Sequence, residues 1–221
     1  MNNFQNLIKY YEYKNKSKSD KIAFEIALNA KFNPKFKNLY IIGDSISIDY
    51  HKYLFLKNFN ILRVPVNTKS SIFGIQNIDL WLDIGEIDIC LFNFGIHDGL
   101  LDQKYNPPGN LLLYLKNLSI INDKINLKTK KSFWVSSTPF FKGLKKYYNY
   151  NLHKRYTKEA NNYFKNIGQK IIDLNDFCIK NFKKEDVKED GVHLTSSGSE
   201  KIGNFINVTL QEFCNNTNYW E

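Results

Sequence analysis

Cysteine is scarce in this chain: only Cys90, Cys178 and Cys214 among 221 residues. Three thiols cannot pair completely, and their spacing fits no metal site, so neither a disulfide framework nor a metal centre is expected. Cys90 lies in an apolar stretch, where a small buried thiol is the ordinary explanation. No hydrophobic run approaches the length of a membrane span, so no membrane partner is expected. The opening residues, Met1-Asn2-Asn3-Phe4-Gln5-Asn6, lack the basic segment and apolar core of a secretory leader,. The expected location is therefore cytoplasmic. Internal repeats are absent, and no linker divides residues 38–221.

What the chain has in excess is positive charge, with 31 Lys and Arg against 22 Asp and Glu for a formal net charge of +9. The lysines are spread along the whole length, and no nucleic-acid-binding motif accompanies them, so nucleic acid is not an expected partner. Asparagine, isoleucine, phenylalanine and tyrosine are abundant as well, the pattern that A/T-rich codons produce. A basic surface of this kind also favours an acidic glycan or a phosphate-bearing acyl donor. The length suits one α/β domain that buries a full core without disulfides or metal.

Residues 1–37 read as a helical N-terminal extension. Phe4, Leu7, Ile8 and Tyr11 recur at helical spacing; Ile22, Ile26, Ala27 and Ala30 do so again before Pro34,. From residue 38 onward, apolar runs alternate with amphipathic stretches. Strands are expected near 39–43, 60–65, 87–94, 132–137 and 170–174, and helices near 47–58, 74–83, 109–125 and 151–167. A closing helix is expected from Ser196 to Cys214. This alternation predicts an α/β fold with a five-stranded parallel sheet between two helical layers. The run Ile87-Asp88-Ile89-Cys90-Leu91-Phe92 is apolar almost throughout, as expected of a strand covered on both faces,.

Three short segments follow predicted strands, where such sheets bind their ligands. The first is Gly43-Asp44-Ser45-Ile46-Ser47, with Ser45 either a nucleophile at a strand-to-helix turn or a helix cap,. No Gly-x-Ser-x-Gly elbow surrounds it, which argues against an α/β-hydrolase. The second is Asn93-Phe94-Gly95-Ile96-His97-Asp98-Gly99, a polar turn or a source of oxyanion donors,. The third is Asp190-Gly191-Val192-His193, before the closing helix. Its spacing of three lets Asp190 reach the imidazole Nδ1 while Nε2 faces a serine; the alternative is a capping loop. After the second strand, Asn67 and Gly74 flank a loop in which a glycine amide can approach an oxyanion closely,.

Taken together and in order, these segments resemble the SGNH or GDSL hydrolases over roughly residues 39–210. The resemblance implies a flavodoxin-like three-layer α/β/α sandwich. It implies Ser45 as nucleophile, His193 as base and Asp190 as the group that orients it. The oxyanion hole would combine the Ser45 and Gly74 amides with His97, which stands where the family places asparagine. That Gly-x-His-Asp third block points to a subgroup. Asp44, Asn67 and Asp98 are expected to line the substrate site. The implied activity is hydrolysis of a small acyl ester, acetyl on a carbohydrate foremost, with no cofactor and no metal. Two other readings stand beside it: an acyltransferase with the same triad, and a non-catalytic glycan-binding module on the same fold. The aromatic and lysine-rich segment Phe140–Tyr150 would overhang the site and suits sugar stacking or an acidic group, or is an ordinary surface loop.

Overall fold

Strand β3 (Ile87–Phe92) is buried at every position and lies at the centre of a five-stranded parallel sheet. The computed structural model describes residues 2–14, 17–101, 110–141 and 148–216. Around β3 stand β1 (Lys37–Ile42), β2 (Phe59–Arg63), β4 (Thr129–Val135) and β5 (Lys170–Ile172), in the order β2-β1-β3-β4-β5. This is the flavodoxin-like order, with its switch point between β1 and β3. Leu39 of β1 pairs with Ile61 of β2 and Ile89 of β3, and Phe92 of β3 with Trp134 of β4.

Successive side chains on β1 point to opposite faces and enter two separate cores. Tyr40 and Ile42 join Phe92, Trp134, Ile78 and Leu118 on one side. Leu39 and Ile41 join Ile89, Phe133, Ile202 and Ile206 on the other. The first core is covered by α1 (Asn2–Tyr11), α4 (Ser71–Leu82), α5 (Leu111–Lys128) and α6 (Tyr150–Asn166). The second is covered by α3 (Ser45–His51), α7 (Leu174–Asn181) and α8 (Ser196–Asn215). The expected three-layer sandwich is therefore present. No helix among the described residues is long and apolar enough to cross a membrane.

Within residues 1–37, the helices α1 and α2 (Lys18–Leu28) pack on the body of the domain. Phe4, Leu7, Ile8 and Tyr11 of α1 are buried in the first core, and Trp81 Nε1 donates to the Tyr11 hydroxyl at 2.9 Å. Helix α2 is opened by Ser17 in a capping box with Asp20,. Asp20 is only 2% exposed and reaches beyond its own helix: it accepts the Asn67 amide at 3.1 Å and pairs with Lys69 at 3.6 Å.

Two helical elements differ from the sequence expectation. The helix expected at 47–58 is α3, which starts at Ser45 and ends at His51. Beyond it the chain turns, because the Asn207 side chain on α8 takes both the Tyr53 carbonyl and the Phe55 amide, and Asn58 adopts φ 63°. Helix α7 was not expected; it starts directly at the end of β5, with Asp173 as its cap. Of the segment Phe140–Tyr150, residues 142–147 lie outside the described residues.

Candidate active site

Ser45 emerges from the carboxyl end of β1 at the topological switch point. Asp44 caps α3 by accepting the Ile46 amide at 3.0 Å, so Ser45 begins the helix and is not its cap. Its amide belongs to the first turn, where helix donors have no intrahelical partner. Gly43 is required here by space: a Cβ would come within 2.7 Å of Ser47 Oγ.

The third segment reaches Ser45 across 148 residues of sequence. Ser45 Oγ lies 3.1 Å from His193 Nε2, and His193 Nδ1 lies 2.6 Å from Asp190 Oδ2. Asp190 Oδ1 accepts the amides of Val192 at 3.0 Å and His193 at 2.9 Å, which locks the loop around the ring. Gly191 makes the turn possible with φ 72°,. Burial works to raise the Asp190 pKa, but the His193 ring and the two amides prevail and hold it below the usual value,. An ionised Asp190 accepts from Nδ1–H, leaving the Nε2 lone pair facing the serine. This hydrogen-bonded chain can draw the proton from Ser45 Oγ as a nucleophile forms.

A second layer fixes that loop. Lys188 donates its amide to the His193 carbonyl at 2.8 Å, and Thr195 donates to the Asp186 carbonyl at 3.0 Å. The buried Asp186 carboxylate takes Ser197 Oγ and Lys201 Nζ, both at 2.7 Å.

The segment after β3 forms the opposite side. Gly95 has φ 145°, and a Cβ there would meet Ser137 Oγ at 2.4 Å. Gly99 closes the turn by donating to the Gly95 carbonyl, with the half-buried His97 between them. Burial, reinforced by the charges of Lys69 and His193, lowers the His97 pKa to about 4. The ring is thus neutral at ordinary pH and keeps one N–H to donate.

Four expected site residues have other employment. Gly74 is not an oxyanion donor: it lies inside α4, and its amide bonds the Ser70 carbonyl at 2.9 Å. A Cβ at Gly74 would sit 2.8 Å from the Phe94 ring and 2.9 Å from Ile121, so the glycine permits close packing. Asp98 does not face a substrate. It is 4% exposed and accepts the Ser71 amide at 3.0 Å and the Ser71 hydroxyl at 2.6 Å, fixing the start of α4. Asn67 is likewise internal: its side chain receives the Lys69 amide at 2.9 Å and donates to Ser19 Oγ at 3.1 Å. Asp44 is fully buried, and burial pushes its pKa up to about 7 against the Ile46 amide and the His193 charge.

Of the loop after β2 the sequence singled out only the flanking Asn67 and Gly74, whereas it is the Thr68 amide between them that donates to the Gly43 carbonyl, at 3.4 Å. Ser70 ends this loop as the cap of α4, a signal that Ser70-Ser71 before an apolar run does carry,. Asp20 offered no such signal, because its partners lie 47 residues away.

No protein-family model matches the sequence, and no curated protein does. Solved structures do match in shape. A lipase/acylhydrolase from Enterococcus faecalis is 16% identical with a TM-score of 0.69, over 80% of this chain and 97% of its own. The chain has the fold of the GDSL-type acylhydrolases. A GDSL-like lipase from Bacteroides thetaiotaomicron is 14% identical with a TM-score of 0.66, over 93% of this chain and 98% of its own. A carbohydrate acetylesterase from Sinorhizobium meliloti is 9% identical with a TM-score of 0.63, over 80% and 99%.

Proposed function

We propose that this protein is a serine esterase of the SGNH/GDSL type, acting through Ser45, His193 and Asp190 on a small acyl ester. The observation that carries the reading is the unbroken chain Ser45 Oγ–His193 Nε2 at 3.1 Å and His193 Nδ1–Asp190 Oδ2 at 2.6 Å. A helix cap has no need of an imidazole, and a surface histidine has no need of a carboxylate locked by two amides.

In this mechanism Ser45 Oγ attacks the ester carbonyl carbon while its proton passes to His193 Nε2. The C=O electron pair becomes an oxyanion, received by the Ser45 amide and the His97 N–H. Gly74 is left out of the hole, because its amide bonds the Ser70 carbonyl inside α4. The tetrahedral intermediate collapses, the C–O bond to the alcohol breaks, and His193 returns its proton to the leaving alkoxide. Water then attacks the acyl-enzyme, giving a proton to His193; the bond between Ser45 Oγ and the acyl carbon breaks, His193 returns the proton to Oγ, and the acid departs. Asp190 stays ionised throughout and stabilises the imidazolium.

The name of one structural neighbour, a carbohydrate acetylesterase, supports an acetyl ester of a carbohydrate as substrate. The test is covalent labelling with a fluorophosphonate, which requires an activated serine. The wild type should label at one site, and Ser45→Ala should not label and should lose about 10⁴-fold or more in kcat on an acetyl ester. An unlabelled wild type, or equal labelling of Ser45→Ala, defeats the reading.

A further inference from the structure

Arg63 ends β2 and is fully buried, yet no carboxylate among the described residues forms an ion pair with it. Its guanidinium lies behind the nucleophile turn. Nη2 donates to the Gly43 carbonyl and to Ser47 Oγ, both at 3.4 Å, and Nε donates to the Val64 carbonyl at 3.3 Å. Ser47 Oγ in turn donates to the Asp44 carbonyl at 2.7 Å. The cation therefore holds both flanks of Ser45. Its remaining nitrogen, Nη1, has no hydrogen-bond partner, and neither does Asp44 Oδ2.

An unpaired buried cation is expensive, because little solvent answers its charge. Below about pH 7 nearby groups leave it largely uncompensated. Tyr40 on β1 and Tyr50 on α3 are buried phenols whose pKa values burial raises, His51 is held neutral by burial and by Arg63 itself, and Asp44 titrates only at about 7. The negative charge that the reaction creates arises at Ser45, between the two residues the guanidinium holds. A preorganised positive charge in a low-dielectric site favours such a state without reorganising.

Resting on the esterase reading, we propose that Arg63 is a positioning residue. It fixes the Gly43–Ser47 turn from behind, and its charge stabilises the anionic transition state formed at Ser45. It does not touch the substrate, so its effect falls on kcat and leaves KM nearly unchanged.

The test compares wild type, Arg63→Met and Arg63→Lys on an uncharged aryl acetate, with fluorophosphonate labelling rates in parallel. Arg63→Met should lose about 10–100-fold in kcat, with KM within threefold, and label more slowly by a similar factor. Arg63→Lys keeps a charge that can be removed, since a buried ammonium gives up its proton far more readily than a guanidinium. Its kcat should show a reversible fall as pH rises, absent from the wild type, down to the level of Arg63→Met. A purely structural role would lower thermal stability and create no such limb. Arg63→Met with kcat within threefold of wild type, or an Arg63→Lys profile that superposes on the wild type, overturns the proposal. Should Arg63→Met fail to fold, the Arg63→Lys profile decides alone. A labelled wild type with an unimpaired Arg63→Met defeats this proposal only; an unlabelled wild type defeats the esterase reading and this proposal with it.

Discussion

The two sides of Ser45 are built in opposite ways. On one side, Asp190 and His193 belong to a four-residue loop, and each functional contact is made by a side chain. On the other, the loops 67–71 and 93–99 turn several polar side chains inward: Asp98 on Ser71, Asn67 on Lys69 and Ser19, Asn93 on the Val135 carbonyl. Within 93–99 only His97 is left partly exposed, with a neutral ring. A base must present a titrating side chain, whereas an oxyanion hole needs fixed donors, largely of the main chain. The polar side chains there serve to hold backbone still.

The sharpest way to break this comparison is at Asp190. Asp190→Asn keeps the size of the side chain, but an amide cannot hold the imidazole in the required tautomer. It also places an N–H where Oδ1 or Oδ2 now accepts three hydrogen bonds. The expected result is a fall in kcat of about 10⁴-fold with the labelling rate falling in step. A loss of under tenfold would mean that the loop, and not the carboxylate charge, is what His193 requires.

The opposite side should respond more mildly. His97→Ala removes one donor and is expected to cost about 10²–10³-fold in kcat, and His97→Asn should restore most of it. Because His97 already sits at about 4, neither change should move the pH profile above about pH 5,. The linkage has a definite sign. The folded pKa lies below the unfolded 6.5, so the unfolded chain binds more protons between the two values,. The stability associated with neutral His97 is present above pH 6.5 and lost as pH falls towards 4,. His97→Asn should therefore denature less steeply in acid, as thermal melts between pH 4 and 7 would read.

The same contrast governs what could be read from sequence. The strands were legible to within a few residues because β1, β3 and β4 end in unbroken buried runs. The three residues Ser45, His193 and Asp190, which the structure brings within hydrogen-bond reach, were legible as a group because the roles proposed for them need fixed residue types beside strand ends. Helix α7 escaped because Leu174-Asn175-Asp176-Phe177 has modest helix propensity and no turn separating it from β5,. The oxyanion side was misread for a physical reason. Naming Gly74, Asn67 and Asp98 from their places after strand ends does not reveal that α4 begins at Ser71 and that Asp98 and Asp20 tie down the residues around its start. Those ties join segments 27 and 47 residues apart.

Gly74 gives the finest test of the comparison, because here the expected effect on chemistry is nil. As an oxyanion donor, Gly74 would tolerate no disturbance without loss of kcat. As a packing glycine, its substitution should act on stability alone. Gly74→Ala adds a methyl group 2.8 Å from two atoms of the Phe94 ring and 2.9 Å from Ile121 Cδ1. The helix gains about 1 kcal/mol of intrinsic propensity, but overpacking of this kind typically costs about 1–3 kcal/mol. Phe94 is fully buried one residue before Gly95, so it has little room to give. The expected outcome is a lower melting temperature with kcat per folded molecule within about threefold of the wild type, normalised by active-site labelling. A large fall in kcat with the melting temperature unchanged would return Gly74 to the oxyanion hole and make the two sides of Ser45 more alike than the packing implies.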